Sequence, residues 1–240
     1  MFDLQGYGPS LLQGAWVTIT VGLSAMLVAM LLGLLGAWGK LARNPLANLL
    51  AGTYTTVIRG IPELILLLLI YYGVPTLIQD LAESQGMDIR INLDPFVAGV
   101  ITIGFIYGAF ATEVFRGAFM AVPKGQIEAA RAHGMGDVLT FTRVMFPQAI
   151  RVALPGLGNV WMVLIKATAL VSLIQLDEIM RKAKIATNAT HQPFTFYLLA
   201  SLVFLAITIL SMVAQHRAEK YANRGLAART AKAAGKGAGA

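Results

Sequence analysis

Long apolar stretches recur along the chain at lengths that match the thickness of a lipid bilayer. No Asp, Glu, Lys or Arg occurs between residues 4 and 39, and another charge-free stretch runs from 185 to 216. A membrane-spanning helix needs about 20 mostly apolar residues. The pattern predicts five spanning helices in one domain, residues 1–222, at about 11–38, 53–78, 95–112, 153–176 and 194–215.

The first predicted span is expected to remain in the mature protein. A secretory signal peptide has a basic N-terminal region and a short apolar core. Asp3 is the only charged residue before Lys40, and the apolar stretch is longer than such a core.

Composition supports an all-α membrane protein. Hydrophobic residues make up 57% of the 240 residues and charged residues only 13%, whereas a soluble domain has about 25% charged residues. This balance excludes disorder, collagen, a coiled coil and most soluble enzymes. Because the chain has no cysteine, a disulfide, a thiolate nucleophile and Cys-ligated zinc are excluded as well.

The net charge of +7 is concentrated near the C-terminus. Residues 217–240 hold six Lys/Arg and one Glu, which accounts for +5. A basic segment after an apolar helix is typical of the cytoplasmic end of a membrane protein. Residues 223–240 are therefore predicted to form a basic disordered tail, and no nucleic-acid partner is expected.

The distribution of Lys and Arg predicts the orientation of the five spans. The segments on one side, 40–59, 116–151 and the tail, hold fourteen Lys/Arg, and those on the other side hold four. The side richer in Lys and Arg is usually cytoplasmic. The N-terminus is therefore expected outside and the C-terminus in the cytoplasm.

The segment between the third and fourth spans is predicted to form two short helices joined by a glycine turn. Pro123 suits a helix start and Gly134 a helix stop. Asp137 suits the N-cap of a second helix. The small, alanine-rich first helix either docks on a partner or packs on the chain's own spans, and composition leaves both readings open.

The same segment resembles the EAA motif of ABC-importer permeases, with Glu128-Ala129-Ala130 followed by Gly134. Three further segments resemble elements of that family in the same order: Arg59–Glu63, Ala111–Gly117 and Leu164–Ser172. The resemblance covers about residues 5–222.

Within this family the chain is similar to the polar amino-acid permeases. The stretch from Gly104 to Gly125 resembles the Q-type subunits of importers for histidine and for lysine, arginine and ornithine. Opine permeases share much of the pattern, so an opine or another polar amino acid stays open as the cargo. One departure is Ala167, where the family often has an aspartate after the lysine of the fourth span.

The resemblance implies a type I importer architecture in the bacterial inner membrane. The expected partners are a second homologous permease, two ATP-binding subunits, a periplasmic binding protein and the lipid bilayer. The predicted first helix would be a cytoplasmic coupling helix that contacts an ATP-binding subunit. The expected coupling residues are Glu128, Ala129, Ala130, Arg131, Gly134 and Phe141.

The chain is expected to be a transport subunit rather than an enzyme. No G-x-x-x-x-G-K-[ST] loop occurs in the sequence, so ATP and magnesium would be used by the partner subunits. The chain itself is expected to bind no cofactor. Its three histidines show no metal-ligand spacing, and no metal site or catalytic residue is predicted.

Polar residues near or within the predicted spans are candidates for the substrate pathway. Lys166 lies within the fourth span, where a charge is costly, so it either binds a substrate carboxylate or pairs with a group of the second subunit. Thr168 and Ser172 share a helix face; each lines the pathway or bonds its own backbone. The same alternatives of pathway contact or structural pairing hold for Glu113 and Glu63.

Two arginines and two carboxylates complete the candidate set. Arg59 and Arg116 are predicted near the cytoplasmic ends of the second and third spans, where they would pair with Glu63 and Glu113 and brace a gate. Asp177 and Glu178 end the fourth span at the outer face. They either attract a cationic amino acid, contact the binding protein, or form a solvated helix end.

Two other classes of membrane protein are compared with the importer. A secondary transporter would require inverted repeats and mid-membrane carboxylates, and the sequence shows neither. A membrane-embedded enzyme would require paired histidines, H-E-x-x-H or G-x-S-x-G, and none occurs. The ABC-importer permease is therefore the predicted function.

Overall fold

A computed structural model describes residues 4–88 and 90–224, and this part of the chain is helical without a strand. Short π-helical or 3-10 turns join some of the helices end to end. The ten α-helices of the described residues are α1 Gly8–Leu41, α2 Pro45–Gly60, α3 Glu63–Leu68, α4 Val74–Glu83, α5 Pro95–Met120, α6 Lys124–Ala132, α7 Asp137–Thr140, α8 Phe146–Ala167, α9 Ile179–Thr190 and α10 Pro193–Ala222.

Five helical segments of the described residues are long and apolar enough to cross a membrane. Their lengths run from 21 to 38 residues, and about 20 suffice. They are Gly8–Leu41, Glu63–Glu83, Pro95–Met120, Asp137–Ile174 and Pro193–Ala222. The predicted tail begins at Asn223, and its residues from 225 onward lie outside the described part of the chain.

The second span differs from the predicted one because the helix breaks at Ile61 and Pro62. Ile61 is extended, with φ −106° and ψ 137°, and Pro62 has no N–H to continue the α2 ladder. A separate helix, α2, therefore fills residues from 45 to 60, and the apolar span starts at Glu63 instead of near residue 53. The apolar pattern continues across residues 61 and 62, so it does not predict this break.

Small residues let α1 and α5 pack backbone against backbone. A Cβ at Gly33 would lie 2.5 Å from the Cβ of Ala111, and a Cβ at Gly104 would lie 2.6 Å from Val28. Small residues at helix contacts allow this close approach within a membrane. The central core cluster forms around this seam and includes the fully buried Val21 and Ala109.

Adding one methyl group at the seam is expected to destabilise the protein. Gly104→Ala brings a Cβ within 2.6 Å of Val28 and 3.1 Å of the Ala25 carbonyl oxygen, and such overpacking costs about 1–3 kcal/mol. Thermal unfolding in detergent micelles measures the change.

The control for Gly104→Ala lies on the same helix. A Cβ at Gly117 has no neighbour within 4 Å, so Gly117→Ala is expected to be neutral or stabilising by up to about 1 kcal/mol through helix propensity. Equal loss of stability in both variants would contradict the close packing of α1 on α5.

A second, smaller core joins α1, α9 and α10 at one end of the bundle. Leu11 packs there with Ile179 and Phe196, of which the last two are fully buried. The fourth span reaches this core through a 3-10 turn over Thr168–Ile174. Gln175 then adopts a left-handed conformation, φ 68°, which turns the chain towards α9.

Candidate functional site

The loop between α5 and α8 forms a structured cap at the opposite end of the bundle. The chain leaves α5, forms α6, turns, and re-enters through α7 and a π-helical turn over Phe141–Met145. Phe119 at the end of α5 contacts Phe141, and Phe141 contacts Phe146, with ring centroids 5.8 and 5.9 Å apart. This aromatic row fixes the loop to the ends of α5 and α8.

Helix α6 ends at the glycine that the sequence indicates. Gly134 has φ +77°, a conformation that glycine adopts without the cost of a Cβ. The N–H of Met135 donates to the Ala130 carbonyl at 3.1 Å, which completes the helix stop. Asp137 does not act as the predicted N-cap, since its carboxylate instead accepts from Arg131 at 3.0 Å.

One face of α6 is free to meet another protein. Ala130 is buried, whereas Glu128, Ala129 and Arg131 are exposed. Within the described residues Glu128 has no ion-pair or hydrogen-bond partner from another side chain. The helix therefore presents a carboxylate beside small residues on an open surface.

An apolar groove of about 590 Å³ runs between α6 and the end of α1. Phe119 and Phe141 line it, together with Arg131 and Asp137, which form an ion pair. Phe141 therefore belongs both to the aromatic row of the loop and to the lining of this groove.

Glu113 is shared between two cations. Arg116 donates to one carboxylate oxygen at 2.8 Å, and Lys40 at the end of α1 donates to the other. The Glu113 side chain is only 21% exposed. The predicted pair of Glu113 and Arg116 therefore forms, and Lys40, which the sequence did not single out, joins it across a separation of 73 residues.

Arg59 and Glu63 do not form the predicted ion pair among the described residues. The Arg59 guanidinium lies over the Phe110 ring, 5.3 Å from its centroid. The Glu63 carboxylate accepts from the Tyr107 hydroxyl at 2.9 Å. Tyr107 lies near the middle of α5, so Glu63, the first residue of the second span, lies beside the middle of α5.

Lys166 is exposed on the surface of α8 and has no carboxylate partner in the described part of the chain. Asn159, two turns earlier, is exposed on the same face and was not identified from the sequence. Thr168 is fully buried and donates to the Ile165 carbonyl at 2.7 Å. Ser172 is half-buried in the 3-10 turn.

Asp177 and Glu178 occupy different environments at the start of α9. Asp177 is exposed, and hydrogen bonds from Lys182 and then Arg181, each 2.8 Å long, hold its pKa below the usual value. Glu178 is fully buried and caps α9 by accepting from the backbone N–H groups of Met180 and Arg181.

Burial has the larger effect on Glu178 and raises its pKa to about 7, although the hydrogen bonds favour its charged form. Thr18 of α1 accepts from the Ile179 N–H at 3.2 Å beside it. Glu178 therefore joins α9 to α1 and does not form a solvated helix end.

Comparison with known proteins gives a consistent family match. Residues 17–221 match the model of the family described as "Binding-protein-dependent transport system inner membrane component". The histidine/lysine/arginine/ornithine transport system permease protein HisQ of Salmonella typhimurium is 50% identical over 208 residues, which cover 87% of this chain and 91% of the relative. The nopaline transport system permease protein NocQ of Agrobacterium fabrum is 45% identical, with 92% and 94% covered.

A solved structure supports the same family. A chain of an amino acid ABC transporter crystallised with histidines superposes with a TM-score of 0.78 at 31% identity and covers 92% of this chain and 99% of its own. The helices described above therefore have the type I fold of ABC-importer permeases.

Proposed function

Since the chain belongs to the family of binding-protein-dependent transport system inner membrane components and is a permease of a polar amino-acid ABC importer, we propose that it carries basic amino acids across the inner membrane. The observation that supports this cargo is the 50% identity to a permease named for histidine, lysine, arginine and ornithine. An opine is the second candidate, because a nopaline permease is 45% identical over 222 residues.

The orientation proposed for the chain places α6 in the cytoplasm and α9 at the outer face. The excess of Lys and Arg around α6 supports it. With this orientation the N-terminus is outside, the C-terminus is cytoplasmic, and Asp177 with α9 faces the side from which a binding protein delivers the substrate.

We propose α6 as the coupling helix, which contacts an ATP-binding subunit. The exposed carboxylate of Glu128, with Ala129 and Arg131 beside it, supports this role. Gly134 fixes the end of the helix, and Phe141 transmits its position to α5 and α8 through the aromatic row. Hydrolysis of ATP would then occur on the partner subunits and move α6.

The proposed pathway follows the uncovered faces of the chain and is completed by a second permease. Lys166 and Ser172 would line it from the fourth span, and Glu63 from the second. Lys166 supports this assignment because an exposed charge within a span is costly against lipid and suits a polar pathway or a protein interface. The Glu113 group, with Lys40 and Arg116, would brace the cytoplasmic end.

Reconstitution tests the proposed cargo. The chain is coexpressed with a candidate second permease and a candidate ATP-binding subunit, and the complex is inserted into liposomes. Uptake of labelled histidine, lysine, arginine, ornithine and nopaline is then measured with and without ATP and binding protein. We expect ATP-dependent uptake of at least one basic amino acid. Uptake of nopaline alone would favour the opine function, and uptake independent of ATP would contradict an ABC importer.

A further inference from the structure

The apolar groove between α6 and the end of α1 lies where three membrane-spanning segments end on the same side. Leu34, Trp38 and Leu41 line it from the last two turns of α1. Phe119 lines it from the end of α5, and Phe141 from the start of the fourth span. Because spans end where the hydrocarbon region ends, the groove lies at the boundary between lipid tails and headgroups.

The apolar side chains of the groove are open to the outside of the chain. Trp38 is 74% exposed and Val138 79% exposed, and Leu41 and Phe141 are exposed as well. A contiguous exposed apolar surface marks a site where another molecule binds. Tryptophan at the end of a span is enriched at the level of the lipid headgroups, so a lipid molecule is within reach of this groove.

Cations outnumber carboxylates around the groove. The segments that line it, 34–43 and 113–145, hold six Lys/Arg and three Asp/Glu. Of the carboxylates, Asp137 is already paired with Arg131, and Glu113 is shared by two cations. The surroundings of the groove therefore carry an excess of positive charge that calls for an anion.

Three arginines lie at or beside the groove. Arg131 lines it, and its printed hydrogen bond to Asp137 uses only one of its nitrogens, whereas a guanidinium has five N–H donors. Arg43 and Arg143 each lie two residues from a residue of the lining. Both are exposed and have no carboxylate partner among the described residues. The fork of an arginine matches the geometry of a phosphate.

The molecule that matches this groove joins an apolar chain to an anionic phosphate. We propose that the groove binds one anionic phospholipid, with an acyl chain against Trp38 and Phe141 and the phosphate held by Arg131, Arg43 and Arg143. Basic pockets between membrane helices bind anionic headgroups in this way. A zwitterionic phospholipid has the same chains but no net negative charge to balance the cations. The site is independent of the cargo proposed above.

The fluorescence of Trp38 tests the site, because this side chain lines the groove. The chain has three tryptophans, so Trp16→Phe with Trp161→Phe leaves Trp38 as the single fluorophore of the full chain. The protein is reconstituted in phosphatidylcholine vesicles with rising fractions of phosphatidylglycerol whose acyl chains carry bromine, which quenches tryptophan on contact. We expect quenching that saturates at a low fraction, with an affinity about fivefold or more above that of brominated phosphatidylcholine.

Trp16 provides the matched control for Trp38. It is 67% exposed and lies near the other end of α1, away from the groove. A full chain with Trp38→Phe and Trp161→Phe keeps Trp16 alone. Its quenching is expected to rise in proportion to the brominated fraction, without preference for phosphatidylglycerol. Identical quenching curves for Trp38 and Trp16 would overturn the proposal.

Charge variants test how the headgroup is held. In the chain with Trp38 alone, Arg43→Gln and Arg143→Gln are each expected to lower the affinity for phosphatidylglycerol about fivefold. Lys184→Gln removes an exposed cation of α9, which has no carboxylate partner in the part of the chain that is described, and is expected to leave the affinity unchanged. If both arginine variants also leave it unchanged, the arginines do not hold a headgroup and the proposal is wrong.

The complete importer distinguishes a lipid from a protein as the occupant. Native mass spectrometry compares the wild-type complex, with its second permease and ATP-binding subunits, with the complex that carries both Arg43→Gln and Arg143→Gln. The wild type is expected to retain one more phosphatidylglycerol per copy of this chain. Equal lipid numbers in the two complexes would show that a neighbouring subunit covers the groove instead, which also overturns the proposal.

Discussion

Glu128→Lys is expected to abolish the stimulation of ATP hydrolysis by the binding protein, with at least about a tenfold loss, while the variant chain still folds. Glu128 is exposed on α6 and forms no ion pair or hydrogen bond with another side chain of the described residues, so its replacement removes no internal polar interaction. We expect a basic residue of the ATP-binding subunit opposite Glu128. The new lysine would then face a like charge, which costs several kcal/mol of binding free energy. The measurement is ATPase activity of the complete importer in nanodiscs, with copurification of the ATP-binding subunit as a second readout.

Gln126→Lys is the matched control for this prediction. Gln126 is exposed on the same helix, and residues two apart on a helix do not share a face. The control introduces a lysine on a different face of α6, so ATP hydrolysis is expected to stay near the wild-type rate. If Glu128→Lys also matches the wild type, α6 does not couple the permease to its ATPase through this carboxylate.

Glu113→Ala is expected to cause the largest loss of stability among single charge removals. It leaves Lys40 and Arg116, whose side chains are 17% and 37% exposed, without their shared carboxylate. Breaking a buried ion pair by removing one partner costs about 3–5 kcal/mol. Partial exposure of Arg116 reduces this effect, so we expect about 2–4 kcal/mol, measured by thermal unfolding in detergent.

Two further variants identify the cause of that loss. Asp88→Ala breaks the pair with Arg90, in which both side chains are more than 80% exposed, and is expected to change stability by less than about 0.5 kcal/mol. Combining Glu113→Leu with Lys40→Met and Arg116→Met also removes the two cations that Glu113→Ala leaves unpaired. This triple variant is expected to recover much of the stability that Glu113→Ala loses. A triple variant as unstable as Glu113→Ala would show that the lost free energy is not electrostatic.

The sequence predicts those features that depend on neighbours along the chain. Charge-free runs mark the spans, and Pro123 and Gly134 bound α6 because proline and glycine act on their own backbone. Glu113 and Arg116, three residues apart within one helix, also pair as expected.

Features that depend on distant residues could not be predicted in this way. Arg59 and Glu63 have the spacing of a helical ion pair, and only the backbone break and the α5 aromatics separate them. Lys40 reaches Glu113 only because α1 and α5 pack together. From the sequence alone, Glu178 looks like a solvated carboxylate. It is buried in the structure because α1 and α10 cover the start of α9.

The α1–α5 seam also sets an order of events while the ribosome makes the chain. About 80 residues separate the end of α1 from the end of α5, and at about 5–20 residues per second they take about 4–16 s to synthesise. During this interval α1 must persist in the bilayer without α5 packed against it. The Thr18 hydroxyl already donates to the Gly14 carbonyl of its own helix at 3.0 Å, so the most buried polar group of α1 is satisfied before α5 and α9 arrive.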